Sequence, residues 1–333
     1  MKKILILGGT QFVGQNLVEE LLNLEKYDIT LFNRGKTNPD LFPQAKRIIG
    51  DRKTADIEQI GGQDWDVVFD ISGYWPIPLE KNIEILKGRV GRYVFVSTMS
   101  VYDFDTGSSV SATENHTLLS CTEEQKTDNT AASYGQRKVA CEQILQKNTW
   151  LDKIILRPAL IVGRYDHTDR LYYWFHKAQT QNAFLIPEGN NVISYTDVED
   201  LTQTMIQAIN VQNHFTTYNA YSYSTSIRAF VQKAMKHSGR TPELINAPPQ
   251  LLEKYKVEEW TGIPLWVNSD YLTIDNSRLL QDFDLTLNTS DQTTEALMAY
   301  YANSLKWRQP NSRLGAISLE KEKTLMDLLR KDV

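Results

Sequence analysis

The sequence predicts an α/β protein built on a doubly wound parallel sheet. Short apolar runs of strand length alternate with stretches of helical periodicity, and a glycine-rich turn separates the first run from the first helix. Strands that alternate with helices in this way usually pair in parallel, with helices covering both faces of the sheet. The chain has 333 residues, of which 41% are hydrophobic, and can therefore bury one or two cores.

The elements follow in order from the N-terminus. Residues 4–7 are an apolar run short enough for a buried parallel strand, and apolar residues recur at helical spacing over residues 16–24. Further strand-like runs lie at residues 29–32, 47–49, 67–71, 93–96 and 218–221, and a late helix is predicted over residues 295–305. This order predicts a Rossmann-type core.

A glycine-rich turn lies between the first strand and the first helix. Glycines there let the backbone pass close to a pyrophosphate, whose charge is met by the N–H groups of the helix start. The alternative is a glycine turn that binds no ligand. In the spacing Gly-x-x-Gly-x-x-Gly the middle position is Gln11, whose side chain either narrows the approach to the phosphates or hydrogen-bonds them. The cofactor-binding residues predicted in this turn are Gly8, Gly9, Thr10, Gln11, Phe12, Val13 and Gly14.

A tyrosine and a lysine four residues apart form the second motif. Tyr134 and Lys138 share one helix face, which places the phenol and the ammonium in the same neighbourhood. A nearby cation favours tyrosinate, so that a phenol with an ordinary pKa of ~10 can act as an acid or base near neutrality. Thr98 and Ser100 follow strand 93–96, at the carboxyl edge where open parallel sheets bind ligands. The alternative is a chance Tyr-x-x-x-Lys pair on a solvated helix.

These motifs, in this order, resemble those of the extended short-chain dehydrogenase/reductases, the superfamily of NAD-dependent epimerases and dehydratases. The resemblance covers nearly the whole chain. It implies that Thr98 is the catalytic hydroxyl, that Tyr134 is the acid/base, and that Lys138 holds the ribose hydroxyls and lowers the tyrosine pKa. Ser100 is then a second hydroxyl that lines the substrate site.

The resemblance also implies a smaller substrate domain that is discontinuous in sequence, and the chain becomes richer in tryptophan and tyrosine beyond Leu156. We expect residues 1–157 to form the Rossmann domain, with residues 195–238 returning to it. Residues 158–194 and 239–333 would form mainly the substrate domain. The long polar stretch 103–130 is predicted to be a lid or rim of the site, or else a simple surface insertion.

The choice of cofactor depends on the end of the second strand, where NAD-binding members present a carboxylate to the adenosine ribose. Here the residues are Asn33 and Arg34, and a guanidinium with Lys36 nearby can pair with a 2′-phosphate. NADP(H) is therefore favoured, NAD(H) is the alternative, and an ordinary solvated turn would favour neither. By the same resemblance, further cofactor contacts are expected from Asp51, Ser72, Gly73, Lys138 and Pro158.

The substrate is less well defined by the sequence. Nucleotide-sugar members usually have an asparagine three residues after the position of Arg157, but this chain has Leu160. It therefore looks closer to members that act on carbonyl compounds without a nucleotide handle. Arg164, Arg170 and Trp174 are predicted to line the substrate pocket, and the alternative is helix-start polarity with core aromatic residues.

Composition and charge argue against other classes of protein. The chain has 36 basic and 41 acidic residues, a net charge of -5, which argues against a nucleic-acid partner. Cys121 and Cys141 are too few for a disulfide framework. No segment approaches the roughly 20 apolar residues needed to cross a bilayer, so we expect a cytoplasmic protein with no membrane partner. Asp166, His167 and Asp169 have the residue types of metal ligands, but no second cluster completes a site, and no metal is predicted.

The function predicted from these features is hydride transfer at a carbonyl or hydroxyl carbon of a small molecule, with Tyr134 as acid/base. A homodimer through helices beside the Tyr134 helix is common in the superfamily, and the sequence leaves the oligomeric state open. Two other functions stay open. One is RNA binding, as in the chloroplast stem-loop RNA-binding proteins, whose glycine motifs are also altered. The other is cofactor sensing, in which nucleotide binds without turnover.

Overall fold

A computed structural model describes residues 1–104, 111–189, 191–268, 271–306 and 308–331. The chain divides into two compact units. The first unit comprises Met1–Ile161, Thr196–Tyr221 and Ile274–Leu287, and the second comprises Val162–Tyr195, Ser222–Thr273 and Asn288–Val333.

A seven-stranded parallel sheet forms the centre of the first unit. Its strands are β1 (Lys2–Leu7), β2 (Tyr27–Asn33), β3 (Lys46–Ile49), β4 (Trp65–Asp70), β5 (Val90–Val96), β6 (Lys153–Pro158) and β10 (Thr217–Ala220). The strand order is β10-β6-β5-β4-β1-β2-β3, so the winding reverses between β1 and β4. This reversal is the topological switch point of a doubly wound sheet, next to which ligands bind. The predicted α/β fold with a Rossmann-type sheet is confirmed.

Helices cover both faces of this sheet. They are α1 (Phe12–Asn23), α2 (Pro76–Ile85), α3 (Tyr134–Lys147), α5 (Val198–Ala208) and the short α8 (Ser277–Asp282). Helix α2 packs against α3, and α1 packs against α5. Leu5, Leu7 and Val68 join residues of α2 and α3 in one core. Ile4 and Ile6, which point to the other face of β1, are fully buried as well, so neither face of β1 is exposed to water over these residues.

The second unit contains two small sheets and five helices within the described residues. Strand β8 (Ala183–Pro187) pairs in parallel with β12 (Glu243–Ala247). Strands β11 (Tyr223–Ser226) and β13 (Tyr271–Leu272) flank β9 (Val192–Asp197), whereas the short β7 (Leu160–Val162) lies where the first unit meets the second in sequence. The helices are α4 (Arg170–Thr180), α6 (Ile227–Ser238), α7 (Pro249–Lys254), α9 (Ser290–Tyr301) and α10 (Leu319–Lys331).

Two local features explain helix positions in this unit. Helix α9 begins five residues before the predicted start at 295, because Thr289 caps it. The Thr289 hydroxyl accepts from the Gln292 N–H at 3.3 Å, and the Gln292 side chain accepts from the Thr289 N–H at 2.8 Å. Helix α10 is fixed by Glu322, which is buried and accepts from the Lys177 ammonium and from the Leu185 N–H.

The unit boundaries differ from the predicted ones at two segments. Residues 222–238 lie in the second unit, because β11 pairs with the start of β9 and α6 packs against α4 and α9. Residues 274–287 join the first unit, where α8 contacts β10. None of the helices in the described ranges is long and apolar enough to cross a membrane.

Candidate active site

The glycine-rich turn brings the start of α1 up to the end of β1. Gly9 has a φ of +101°, which favours glycine, and a Cβ on Gly14 would lie 2.8 Å from the Gly9 backbone. The N-cap residue Gln11 makes no capping hydrogen bond with its side chain. The first N–H groups of α1 thus carry the positive end of the helix dipole and no side-chain cap, which suits an anion.

A cavity of about 430 Å³ opens above this turn in the first unit. The loops that follow the first four strands line it, as expected for the carboxyl edge of a parallel sheet. Of the predicted cofactor-binding residues, the lining includes Gly8, Gly9, Thr10, Gln11, Gly14, Asn33, Arg34, Asp51 and Ser72.

Five other predicted cofactor residues do not line this cavity as the structure describes it. Phe12 and Val13 have side chains that are buried in the first turn of α1, among the core residues, so any contact with a cofactor would come from their backbone. Pro158 ends β6 and is buried. Gly73 and Lys138 lie beside Tyr134 and contact each other, since the Lys138 ammonium donates to the Gly73 carbonyl at 3.0 Å.

Asn33 occupies the end of β2, the position at which NAD-binding members of the superfamily have a carboxylate. Its amide donates to the Gly8 carbonyl at 3.0 Å and accepts from the Gly35 N–H at 3.0 Å. The side chain therefore joins the glycine turn to the β2 turn and presents no negative charge there. Four cationic side chains also line the cavity: Arg34, Lys36, Arg52 and Lys53.

Arg52 is a site residue that sequence reasoning missed. Its guanidinium pairs with the Asp70 carboxylate through two bonds of 2.7 and 2.8 Å, and it donates to the Ser72 hydroxyl at 3.2 Å. Tyr93 donates to the same carboxylate at 2.7 Å. Burial alone would raise the pKa of Asp70, but the Arg52 charge and these hydrogen bonds hold it below the ordinary value. The sequence contains one indication of this pair: Asp70 is a carboxylate at the end of the apolar strand β4, where a buried charge needs a cationic partner.

Thr98 and Tyr134 are brought together by a close approach of α3 to the turn after β5. A Cβ on Gly135 would lie 2.1 Å from the Ser100 carbonyl oxygen, so only glycine fits after Tyr134. The Thr98 hydroxyl accepts from the Ser100 N–H at 3.2 Å and lies 3.2 Å from the Ser100 hydroxyl. The Thr98 side chain is near enough to the Tyr134 phenol to affect the pKa of that phenol. The predicted group of hydroxyls is thus one cluster.

The Lys138 ammonium has a different environment from the one that the superfamily resemblance implied. Its two hydrogen bonds go to the carbonyls of Gly73 at 3.0 Å and Val96 at 2.6 Å. Burial lowers the pKa of Lys138 to about 8. Burial raises the pKa of Tyr134, and the influence of Thr98 opposes this only in part. Desolvation of the phenol is the largest influence on the pKa of Tyr134 in this structure, and the expectation that Lys138 lowers that pKa stays a prediction.

A buried ion pair fixes α3 against the sheet one turn beyond Lys138. Glu142 accepts three bonds from the Arg157 guanidinium, of 3.0 and 3.2 Å from Nε and 2.5 Å from Nη2, and one from the Ser97 hydroxyl of 2.5 Å. Arg157 also donates to the Tyr102 hydroxyl at 3.0 Å. Removing one partner of such a pair leaves an uncompensated buried charge. Glu142 was not predicted, because nothing in the sequence links it to Arg157.

The three predicted substrate residues beyond β7 all lie in the second unit. Trp174 is fully buried, and its indole donates to the Pro264 carbonyl at 2.8 Å, so the core alternative explains it. Arg170 donates to the Thr168 hydroxyl at 3.0 Å, and Arg164 lies over the Tyr165 ring at 5.6 Å.

The three residues considered as metal ligands line a separate cavity of the second unit. Asp166 accepts from the Thr168 hydroxyl at 2.6 Å, and Asp169 accepts two bonds from Arg308, of 2.6 and 3.1 Å. Across the described parts of the chain, no group of three or more metal-ligating side chains is positioned to hold an ion.

Part of the predicted lid, residues 105–110, lies outside the described residues. Near its end, the Asp128 carboxylate accepts from the hydroxyls of Thr130 and Ser133, and Arg137 of α3 donates to the Asp128 carbonyl. The end of this stretch is thereby fixed to the start of α3.

Residues 80–221 match the model of the NAD dependent epimerase/dehydratase family. The matched segment contains the cluster formed by Thr98, Tyr134 and Lys138, together with the pair of Glu142 and Arg157.

Solved structures of epimerases and dehydratases share this fold. UDP-glucose 4-epimerase of Thermotoga maritima, solved with UDP-glucose, has a TM-score of 0.72 and 16% identity, over 91% of this chain and 100% of that one. dTDP-glucose 4,6-dehydratase of Bacillus anthracis, solved with NAD, has a TM-score of 0.71 and 16% identity, over 91% and 97%. UDP-glucuronic acid 4-epimerase of Bacillus cereus, also with NAD, has a TM-score of 0.69 and 15% identity, over 91% and 98%.

One curated relative carries a different description. It is the chloroplast stem-loop binding protein of 41 kDa b of Arabidopsis thaliana, 27% identical over 226 residues. The match covers 62% of this chain and 55% of that protein. This chain therefore matches about half the length of its curated relative.

Proposed function

We propose that this chain is a nicotinamide-dependent enzyme that transfers a hydride at a carbonyl or hydroxyl carbon of a small molecule, with Tyr134 as acid/base. The observation that carries the proposal is the cluster at the carboxyl edge of the sheet. There the Thr98 hydroxyl acts on the Tyr134 phenol, and Lys138 lies one helical turn from Tyr134. The match to the NAD dependent epimerase/dehydratase family supports it.

The residues of the first unit suit a dinucleotide. The glycine turn and the start of α1 offer N–H groups to a pyrophosphate, and a side chain on Gly14 would strike the Gly9 backbone. The cavity above them extends from Gly8 to Tyr74 and Trp75, past the loops that would hold an adenosine. A bound nicotinamide would supply the hydride in a reduction or accept it in an oxidation.

The side chains of this chain would handle the proton and the positioning. In a reduction, the Tyr134 hydroxyl donates its proton to the substrate oxygen as the hydride reaches the carbon, and the product is an alcohol. The reverse reaction returns the proton to Tyr134. Thr98 orients the oxygen that exchanges it, and Lys138 holds the ribose hydroxyls of the cofactor. Because burial keeps Tyr134 protonated, the phenol enters the reaction as the acid.

The preferred cofactor follows from the charge of the cavity. Arg34, Lys36 and Lys53 line it, against one carboxylate, that of Asp51. Arg52 lines it as well, but its charge is paired with Asp70. Asn33 adds no negative charge at the end of β2, so the 2′-phosphate of NADP(H) is favoured. The solved dehydratase of the same fold holds NAD, which supports a nicotinamide cofactor and favours NAD(H). We propose NADP(H), with NAD(H) as the alternative.

The experiment that tests the proposal is mass spectrometry of the nucleotide released when freshly purified protein is denatured. Released NADP(H), or an empty protein that takes up NADPH in preference to NADH, supports an exchanging reductase with the proposed cofactor. Stoichiometric NAD supports an epimerase or dehydratase that regenerates its cofactor, and contradicts the cofactor preference. Protein that takes up neither nucleotide contradicts the enzymatic proposal.

The substrate is proposed to be a small carbonyl compound without a nucleotide handle. Leu160 stands where the nucleotide-sugar enzymes have an asparagine, and it begins β7. Turnover of UDP-glucose or dTDP-glucose by the purified protein would contradict this class. Turnover of a carbonyl panel with NADPH would support it.

RNA binding is the second candidate function, and one observation favours it. The four cationic side chains of the cavity lie with Tyr74 and Trp75, and aromatic rings beside cations can stack single-stranded bases. The chloroplast relative is described as a stem-loop binding protein. The net charge of -5 argues against it. A measured RNA affinity that falls steeply with salt, in protein that takes up no nicotinamide nucleotide, would support this function instead.

A further inference from the structure

Tyr74 lies between the nucleotide cavity and the catalytic cluster. It follows β4 and lines the cavity with Trp75. Its ring also contacts the Tyr134 ring, with centroids 6.3 Å apart, and the Lys138 ammonium lies 5.3 Å from its centroid. Tyr134 and Lys138 do not themselves line the cavity in the described residues. Tyr74 is thus in contact with both regions.

The backbone before Tyr74 is held from several sides. A Cβ on Gly73 would lie 2.5 Å from the Phe95 ring and 2.8 Å from an Asp70 carboxylate oxygen. The Gly73 carbonyl accepts from Lys138, and the Tyr74 N–H donates to the Ser72 carbonyl at 3.0 Å. These contacts fix the direction in which the Tyr74 side chain leaves the loop.

The Tyr74 ring is held in place by Trp75, which is in turn held by Lys53. The Trp75 ring meets the Tyr74 ring edge to face at 5.8 Å, and the Lys53 ammonium covers the Trp75 ring at 3.5 Å. Tyr74 is nevertheless 41% exposed, whereas Tyr93 of the neighbouring strand is fully buried. An ordered but exposed aromatic ring at the rim of a cavity offers a face to a ligand.

We infer that Tyr74 forms the wall of the subsite for the nicotinamide riboside, so that its ring packs on that half of the dinucleotide. The inference rests on the proposed function. An adenosine and a pyrophosphate would be held by the loops after β1 and β2, whereas Tyr74 lies in the loop after β4. In the proposed function Lys138 holds the second ribose. Two rings lie near that ammonium, the fully buried Phe95 ring at 4.3 Å and the exposed Tyr74 ring at 5.3 Å, and only the exposed ring can meet a ligand. Tyr74 therefore distinguishes nicotinamide dinucleotides from shorter adenine nucleotides.

The test is the affinity of a fragment series, AMP, ADP, ADP-ribose and NAD, with the 2′-phosphorylated forms run in parallel. Calorimetry would compare the wild-type chain with Tyr74→Ala, Tyr74→Leu and Tyr74→Phe. Tyr74→Ala should weaken ADP-ribose and NAD about tenfold and leave AMP and ADP within about twofold. Tyr74→Phe should match the wild type, because it keeps the ring, and Tyr74→Leu should fall between them.

Trp150→Ala is the matched control, because Trp150 is 39% exposed and does not line the cavity. Equal loss for all four ligands in Tyr74→Ala, or no loss for any, would overturn the inference while leaving the proposed function intact. A wild-type chain that binds none of the series would overturn the proposed function, and the inference with it. The thermal midpoint of each variant checks that the fold is kept.

Discussion

The two ends of the candidate site differ in what forms them: backbone at the glycine turn, and polar side chains around Tyr134. At the glycine turn, the fit depends on backbone: a positive φ at Gly9, the 2.8 Å that a Gly14 Cβ would leave to Gly9, and a helix start whose N-cap side chain makes no capping bond. At the Tyr134 end, buried polar side chains determine the properties, with the pKa of Tyr134 raised and that of Lys138 lowered. Binding and proton transfer should therefore respond separately to mutation.

Replacement of Tyr134 by Phe should have the largest effect on turnover. The substitution removes one hydroxyl and leaves the ring contact with Tyr74, so the fold and the nucleotide cavity stay as they are. Loss of a general acid typically costs between 10² and 10⁴ in rate, and we expect about 10³. Steady-state kinetics on a verified substrate and calorimetry with nucleotide would measure the two properties separately.

Tyr27→Phe is the control for Tyr134→Phe, because Tyr27 begins β2, at the end of the sheet away from the carboxyl edge. It should leave kcat unchanged. Full turnover by Tyr134→Phe would contradict the acid/base role. An equal fall in nucleotide affinity and in kcat would contradict the separation of the two ends.

Replacement of Gly14 by Ala should have the complementary effect. The added Cβ meets Gly9 backbone atoms at 2.8 Å, and backbone cannot move aside as a flexible side chain can. Overpacking of this kind costs about 1–3 kcal/mol, so we expect nucleotide affinity to fall on the order of 50-fold. Calorimetry with NADPH and NADH would measure it.

The control for the glycine turn is Gly62→Ala, since a Cβ there meets nothing within 4 Å and Gly62 has no positive φ. Its nucleotide affinity should equal that of the wild type. If Gly14→Ala kept the wild-type affinity, the turn would not be the phosphate site.

The sequence predicted the parts of the site that are close together along the chain. The glycine turn and the Tyr134–Lys138 spacing each depend on one local element. The structure places their residues at the carboxyl edge of the sheet, where ligands bind in folds of this kind. Arg52, Tyr74 and Glu142 were missed, because each has a partner that is distant in the sequence: Asp70 for Arg52, Tyr134 for Tyr74 and Arg157 for Glu142. The pairing of Arg52 with Asp70 or of Glu142 with Arg157 is set by strand order, which periodicity does not contain.

The pKa of the catalytic pair was also beyond the sequence. Spacing four residues apart predicts that Tyr134 and Lys138 are neighbours, but not that both are desolvated. The Lys138 ammonium is satisfied by the Gly73 and Val96 carbonyls, two groups from the ends of β4 and β5. A local pattern therefore indicated the residues, and their burial decided their protonation.

The smallest predicted effect is a pH dependence of stability at the Tyr134 end. The pKa of Lys138 is about 8 in the folded chain, and burial is its cause, whereas an unfolded lysine has a pKa of ~10.4. Between pH 8 and pH 10 the unfolded chain thus holds a proton that the folded chain has released. Stability rises with pH wherever the unfolded state binds more protons, so this residue should add about 2 kcal/mol to the unfolding free energy across that window.

Urea unfolding at pH 8, 9 and 10 would measure this term as the difference in slope between the wild type and Lys138→Met. The control is Lys87→Met, at an exposed position after α2, which should keep the wild-type slope. The comparison uses the difference between the two slopes because other groups also titrate between pH 8 and pH 10. Their contributions are the same in both proteins and cancel in the difference. If Lys138→Met rose with pH as steeply as the wild type, the ammonium would remain charged in the folded chain. The two carbonyl bonds would then outweigh burial, and proton control at this end would belong to Tyr134 alone.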